Sequence, residues 1–411
     1  MFFYVFLSIF LLKEIWDLVL TIWNKNYSTS PNAKIPEVFR DKISEEDFEK
    51  SKNYLRDRTN LAVIVSICDI ILSVVFIIWG FPYFEKLVSS LTKSYILQGL
   101  LFFGIFSLIN FLLSLPFNIY SIFVIEEKYG FNTTTPKIFI TDIIKSIIIS
   151  IILGIPLLSL LLWIIESDPH WWWKFALVVI IFEIFISWLY PMVIAPLFNK
   201  FYPLENEELK EKILSLLEKV HFRVSNIFVM DASRRTKKVN AYLTGIGNSR
   251  RVVLFDTIMS YSHDEILSVL AHELGHHVKK HILKLITLSS LFYIAYIYLT
   301  FLLYKSPLIS STFFVGKSYS IILYAFIFIS SITYFITPLI NFISRKFEYE
   351  ADRFSTELLG TSKPLIDSLK RLVKENLANL NPLPLYRIWH YSHPSPEERI
   401  LALEKEENYE T

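Results

Sequence analysis

Long apolar stretches recur along the chain at residues 2–23, 61–81, 95–115, 144–165, 172–194, 283–304 and 321–343. Each approaches the roughly 20 residues that a helix needs to cross the hydrocarbon layer of a bilayer, so the pattern predicts about seven spanning helices. Charges interrupt the first and border the fourth. The first carries Lys13, Glu14 and Asp17, has no basic n-region and no small-residue cleavage site, and reads as a retained span, not a signal peptide. Lys13 and Asp17, four apart, are expected to pair.

The polar segments between the spans alternate in charge. Those at 25–58, 128–137, 200–280 and from 345 onward carry most of the Lys and Arg, and an odd number of spans puts them on one side. Segments 167–170 and 305–317 are short and charge-poor. The positive-inside rule then places the basic side and the C-terminus in the cytoplasm and the N-terminus outside. Regions 201–280 and 345–411 face one compartment and can build one domain. In the first, 226–230 and 251–255 read as strands, with Gly245-Ile246-Gly247-Asn248-Ser249 as turn chemistry between them. The second is largely helical until a Pro-containing stretch, 381–396, breaks it. The expected fold is an all-α polytopic membrane protein carrying a small α+β domain. Residues 1–200 form five spans, 201–282 the first part of that domain, 283–344 two more spans, and 345–411 its second part.

Composition agrees: 53% of residues are hydrophobic and the mean hydropathy is +0.42. The net charge of +2, with no basic cluster interleaved with aromatics, argues against nucleic-acid binding. The single cysteine, Cys68, lies in an apolar run. That excludes an intrachain disulfide framework and a Cys-rich zinc module, so a metal site must use His and carboxylate.

Ser262-His263-Asp264-Glu265 has the form of a capping box, and Ile266, Leu267, Leu270, Leu274 and Val278 follow at helical spacing. On this helix His272 and His276 are four apart and project from one face, about 6 Å from each other, within reach of one tetrahedral metal. Glu273 stands beside the first of them. In this His-Glu-x-x-His arrangement the histidines hold zinc and the glutamate takes a proton from the activated water. So short a pattern also arises by chance, and a catalytic zinc wants a third protein ligand from elsewhere. Glu348, just past the last span, is the best candidate, because a hairpin of the last two spans returns it to the membrane face where His276 lies. Glu350 is the rival ligand, and an ordinary surface carboxylate is its bland reading. Asp352, one turn beyond Glu348, could accept the second N–H of a ligand histidine.

His272-Glu273-Leu274-Gly275-His276 together with Glu348-Tyr349-Glu350-Ala351-Asp352 resembles the M48 zinc peptidases, specifically the seven-span Ste24-type CAAX prenyl proteases. The resemblance extends to Glu127-Lys128-Tyr129-Gly130-Phe131-Asn132, Asn240-Ala241-Tyr242-Leu243-Thr244-Gly245, Arg250-Arg251-Val252-Val253-Leu254-Phe255-Asp256-Thr257 and Tyr391-Ser392-His393-Pro394. It implies spans enclosing a water-filled chamber, a zincin-like protease domain, and one Zn2+ on His272, His276 and Glu348 with Glu273 as general base. It maps Asn240 and Tyr242 onto a strand that receives the peptide, and His393 onto a histidine near the metal that could serve the oxyanion. Arg399 is placed with the substrate-binding residues, or as a partner to a carboxylate. The implied substrate is a peptide or protein cut near its C-terminus, prenylated as the family name suggests, although no stretch reads as a lipid pocket. The implied setting, beside membrane lipid, is the endoplasmic reticulum or a bacterial inner membrane, with the active site towards the cytoplasm.

Other polar residues carry less. His277 and His281, next to Lys279 and Lys280, read as solvated or interfacial; His170, His221, His263 and His390 read as structural. Asp69, Asn110, Asp142, Lys145 and Glu183 lie in or at the ends of spans and should face a wet interior or each other. They would suit a transporter or a non-proteolytic scaffold equally. A heat-shock-type membrane peptidase would share the metal motif but not the extra spans or the Tyr391–Pro394 block. A site-2-type protease would bury its motif in a span, whereas Lys279, Lys280 and His281 keep this one near water.

Overall fold

The computed structural model describes residues 1–245 and 250–410, the side chains of 406–410 excepted. Helix α1 (Phe2–Ser28) leads. Next, α2 (Glu45–Val75) runs through a π-turn into α3 (Phe81–Leu91), so the two form one rod. Helices α4 (Tyr95–Tyr120), α5 (Pro136–Ser167), α6 (Trp172–Leu189) and the short α7 (Ala195–Phe198) complete the first half. Among the described residues six helices are long and apolar enough to cross a membrane, and the chain is an integral, multi-pass membrane protein. The seventh expected span, α1, is a 27-residue helix that Lys13, Glu14 and Asp17 keep out of that group.

Those charges are handled differently from the expected Lys13–Asp17 pair. Lys13 pairs with its neighbour Glu14 at 2.7 Å, and Asp17 accepts a hydrogen bond from the Tyr334 hydroxyl at 2.7 Å. Tertiary contact has overridden the local i,i+4 option. The other intramembrane polar residues also find partners or a cavity. Asp142 receives Arg235 at 2.8 Å, Lys145 donates to the Leu197 carbonyl at 2.7 Å, and Glu183 accepts from Ser289 at 2.9 Å. Asp69 and Asn110 line a cavity of about 750 Å³ between α2 and α4, together with Ser66, Ser73, Ser114 and Asn118.

The 47-residue rod Glu45–Leu91 would be about 70 Å long at 1.5 Å per residue, more than twice the apolar thickness of a bilayer. Its charged first turns, capped by Ser44 and Asp47, therefore stand clear of the apolar layer. There Phe48 packs with Ile35, Phe39 and Ile43 against Leu365, Ile366, Leu369, Ile400 and Leu403. Tyr54, Glu126 and Lys238 meet at hydrogen-bond distance, and Asn132 bridges to Thr236. The four basic segments thus lie together on one side of the helices.

On that side sits the sheet. β1 (Phe201–Pro203), β2 (Asn226–Met230), β3 (Ala241–Thr244) and β4 (Arg251–Phe255) order as β1-β2-β4-β3, with α8 (Glu207–Lys219) after β1. The 226–230 and 251–255 strands are neighbours, but parallel ones. The stretch expected to turn between them falls instead between β3 and β4, which pair antiparallel, and its residues 246–249 lie outside the described residues. β4 is central, with Val252, Val253 and Leu254 fully buried, and β3 is an edge.

The second half continues with α9 (His263–Val278), α10 (His281–Lys305), α11 (Leu308–Phe313), α12 (Ser318–Thr333) and α13 (Thr337–Leu359). Then follow α14 (Lys363–Glu375), α15 (Pro384–His390) and α16 (Pro396–Glu410). α15 lies inside the Pro-containing stretch expected to be irregular, where Pro384 fits a helical first turn.

Candidate metal centre

α9 starts as its sequence requires. The Ser262 hydroxyl accepts from the Glu265 amide while the Glu265 carboxylate receives the Ser262 amide at 2.8 Å, so the capping box is closed in both directions. Ile266, Leu270 and Leu274 bury one face in the core that includes β3 and β4. The neighbouring face, Ser268, Ala271, His272 and Gly275, meets α13, on which Glu348, Ala351, Asp352 and Ser355 form a buried stripe at helical spacing. The two helices approach closely because a side chain is missing between them. A Cβ on Gly275 would lie 2.9 Å from the Ala351 Cα and 3.2 Å from its carbonyl oxygen.

This approach delivers three donors to one point. His272 Nε2 and His276 Nε2 are 3.2 Å apart, Glu348 Oε1 is 3.3 Å from the second, and Glu348 Oε2 is 3.5 Å from the first. Donors bound about 2.0–2.1 Å from a tetrahedral zinc would stand roughly 3.3–3.4 Å from one another. Glu348 is 6% exposed and its Oε2 has no hydrogen-bond partner among the described residues, so a buried carboxylate oxygen is left without a donor at the mouth of the two imidazoles. The donor set and that oxygen both fit a metal. His272, His276 and Glu348 could hold it.

The surroundings orient the donors. His272 Nδ1 meets Asp352 Oδ1 at 2.8 Å, and Arg399 grips both oxygens of that carboxylate. Of the two roles expected for Arg399, on the substrate side or as partner to a carboxylate, its geometry is that of the second: it holds Asp352, with its side chain 13% exposed. Burial and the Arg399 charge push the His272 imidazole down, but its hydrogen bond to Asp352 and the neighbouring Glu348 carboxylate outweigh them and hold it up at about 9. Burial raises the Glu273 carboxyl above its ordinary range, against the pull of His272 and His276. Burial also lowers Arg399, yet Asp352 more than restores it, so the pair stays ionic.

His393, in the turn before α16, is exposed, and its Nε2 lies 3.3 Å from Glu348 Oε1 while Ser392 contacts its other nitrogen at 2.9 Å. Asn240 precedes edge strand β3 and Tyr242 lies on it, and the strand packs through Ala241 and Leu243 against the core that holds α9. The Asn240 carbonyl accepts from the Phe255 amide, and Tyr242 pairs with Val253, its hydroxyl pushed up to about 12 by burial. Glu350, the rival ligand, points away from the donors and meets His281 Nε2 at 3.0 Å.

His281, read as solvated or interfacial, is in fact fully buried at the start of α10. No local signal announced this, because Lys280 takes a left-handed conformation (φ 57°) in which a non-glycine residue is uncommon. His277 is half-buried against Phe222 and lies off the donor face.

The comparisons agree with this architecture across the whole chain. Residues 24–200 match a family model described as CAAX prenyl protease N-terminal, five membrane helices, and residues 203–407 match Peptidase family M48. CAAX prenyl protease 1 of Saccharomyces cerevisiae is 36% identical over 92% of this chain and 90% of its own length. CAAX prenyl protease 1 homolog of Arabidopsis thaliana is 33% identical over 91% of each. The crystal structure of S. mikatae Ste24p superposes with a TM-score of 0.91 at 33% identity, covering 98% of this chain and 99% of that one.

Proposed function

Because this chain belongs to peptidase family M48 and is a membrane metalloendopeptidase, we propose that His272, His276 and Glu348 hold one zinc ion and that Glu273 is its general base. The observation that carries the assignment is the cluster of three donors, mutually 3.2–3.5 Å apart, in which Glu348 Oε2 makes no hydrogen bond to the described residues. Full-length similarity leaves the heat-shock-type, transporter and scaffold readings unfavoured.

Zinc, when bound, supplies Lewis acidity that acidifies a water and polarises the scissile carbonyl. Glu273 takes the proton of that water and gives it to the departing amine, and its raised affinity for a proton suits both transfers. His393 donates to the oxyanion that develops, from a turn that already holds its ring within 3.3 Å of Glu348. Asp352 fixes His272 with Nδ1 protonated, leaving Nε2 free as donor, and Arg399 holds Asp352. The open edge of β3, with Asn240 and Tyr242 at its start, takes the substrate as an added strand, which presents an extended peptide bond for attack.

The substrate is a peptide or protein, and the names of the relatives support a prenylated CAAX C-terminus. The basic segments beside the centre support a cytoplasmic face for it. The eukaryotic relatives favour the endoplasmic reticulum membrane. Full-length protein in detergent, given a farnesylated peptide and its unlipidated twin, tests both parts. Glu273→Gln is expected to retain one zinc and to lose cleavage of both peptides, whereas residual cleavage at the wild-type rate would remove Glu273 from its role. Equal kcat/KM for the two peptides in the wild type would remove the prenyl group from the specificity.

A further inference from the structure

Residues i and i+5 of a continuous helix point about 140° apart and do not meet. His276 and His281 do meet, Nδ1 to Nδ1 at 3.2 Å. They can because α9 ends at Val278 and α10 begins at His281, with Lys280 between them in the left-handed region, so the chain folds the second ring back under the first. The returned ring is buried and makes two further contacts. Its Nε2 lies 3.0 Å from Glu350 Oε2, and its face stacks on Phe347 with centroids 4.4 Å apart and planes 8° from parallel.

Resting on the zinc assignment above, we propose that His281 is a positioning residue: with Glu350 it forms a two-member relay that sets the tautomer and ring plane of His276. Hydrogen-bond direction permits one arrangement. If His276 Nε2 keeps its lone pair for the metal, its proton is on Nδ1 and is donated to His281 Nδ1. His281 must then be protonated on Nε2, and that proton is donated to the Glu350 carboxylate. Each polar atom of the relay is satisfied, whereas a proton on His281 Nδ1 would set two N–H groups against each other at 3.2 Å. The two histidine ligands are therefore supported unequally: His272 directly by the Arg399-bound Asp352, His276 through an interposed imidazole. Through Phe347, the residue before Glu348, the same ring also touches the helix that brings the third donor.

The test separates hydrogen bonding from packing and reads the metal rather than activity. In the full-length protein in detergent, His281→Phe keeps a flat ring to stack on Phe347 but removes both hydrogen bonds. Zinc affinity by chelator competition should fall about 10- to 100-fold, and the visible spectrum of the Co(II)-loaded protein should change, while the metal-free melt stays where it was. Glu350→Ala, at a half-exposed position that puts the fold at little risk, should move affinity in the same direction by less, and the double variant should fall no further than His281→Phe alone. Wild-type affinity and spectrum in both variants would overturn the relay. A wild type that binds no zinc at all would instead overturn the zinc assignment on which it rests.

Discussion

Gly275 sits between the two histidine donors in sequence and at the closest approach of α9 to α13 in space. Helix propensity alone says that Gly275→Ala should stabilise α9 by about 1 kcal/mol. The added Cβ, however, would stand 2.9 Å from the Ala351 Cα and 3.2 Å from both the Ala351 carbonyl oxygen and the Phe354 Cβ. Carbon atoms rest at about 3.5–4.0 Å, so α13 must withdraw by roughly 0.6–1 Å, and its backbone cannot swing aside as a flexible side chain could. Overpacking of this kind costs about 1–3 kcal/mol, leaving a net change in stability of about 0–2 kcal/mol once the propensity gain is subtracted. The centre is far less tolerant. Glu348 and Asp352 ride on the displaced helix, and a shift near 1 Å can cost about 100-fold in rate. The expected outcome is a folded protein, melting within a few degrees of wild type, with weakened zinc retention and kcat/KM lowered about 100-fold. Gly104→Ala in α4, where none of the described residues lies within 4 Å of the added carbon, serves as the control and should leave activity unchanged. Wild-type kcat/KM in Gly275→Ala would refute the argument that this contact sets the position of the third donor.

Two further expectations follow from the electrostatics. In the metal-free protein His272 titrates at about 9, above its ordinary 6.5, so its contribution to stability is complete below pH 6.5 and lost as pH rises through 9. Metal binding needs the neutral ring and runs the other way. Zinc affinity should climb up to tenfold per pH unit between 6.5 and 9, and calorimetry at pH 7 in buffers of different ionisation heat should show about one proton released from this site, with a buffer-independent heat counting against it. Arg399→Ala removes the cation from the buried Asp352 carboxylate, leaving it the His272 hydrogen bond, and should destabilise the protein by about 3 kcal/mol, seen in denaturant melts, with Arg399→Lys intermediate because it keeps the charge without the two-pronged grip. An unchanged melting midpoint in the alanine variant would mean that Asp352 is held by something else.

The helical layout was legible because crossing a bilayer leaves a crude mark: about 20 apolar residues, whatever their order. What that mark does not give is where a helix stops once it has left the lipid. The second apolar stretch, 61–81, is the middle of a 47-residue rod whose first turns read as a loop, since their Glu, Asp and Lys suit solvated helix and coil alike. The sheet was half visible. Asn226–Met230 and Arg251–Phe255 show dense β-branched and aromatic runs, whereas β1 is three residues ending in Pro203 and β3 is a four-residue edge that carries Ala241. Pairing was beyond the reach of either pattern, because period-two alternation says which face is buried and nothing about which neighbour is parallel.

At the centre the same distinction separates donors from the residues that hold them. His272 and His276, the proposed donors, and Glu273, the proposed base, are fixed in number and spacing by the geometry of one helix and the chemistry of one ion, so the sequence displays them directly. Glu348 could be found by asking where the hairpin of the last two spans returns the chain. Their supports obey no such rule. Arg399 reaches Asp352 from 47 positions away, His281 reaches His276 only across the left-handed Lys280, and the Gly275–Ala351 contact is visible as a need for smallness only once the two helices are seen to cross. A donor can be replaced by few residue types, whereas a support is defined by position and can be of any type able to return one hydrogen bond. Substitutions at the supports should therefore grade zinc affinity, while those at the donors abolish it. This graded response is what distinguishes a centre oriented by its fold from one assembled by the ion alone.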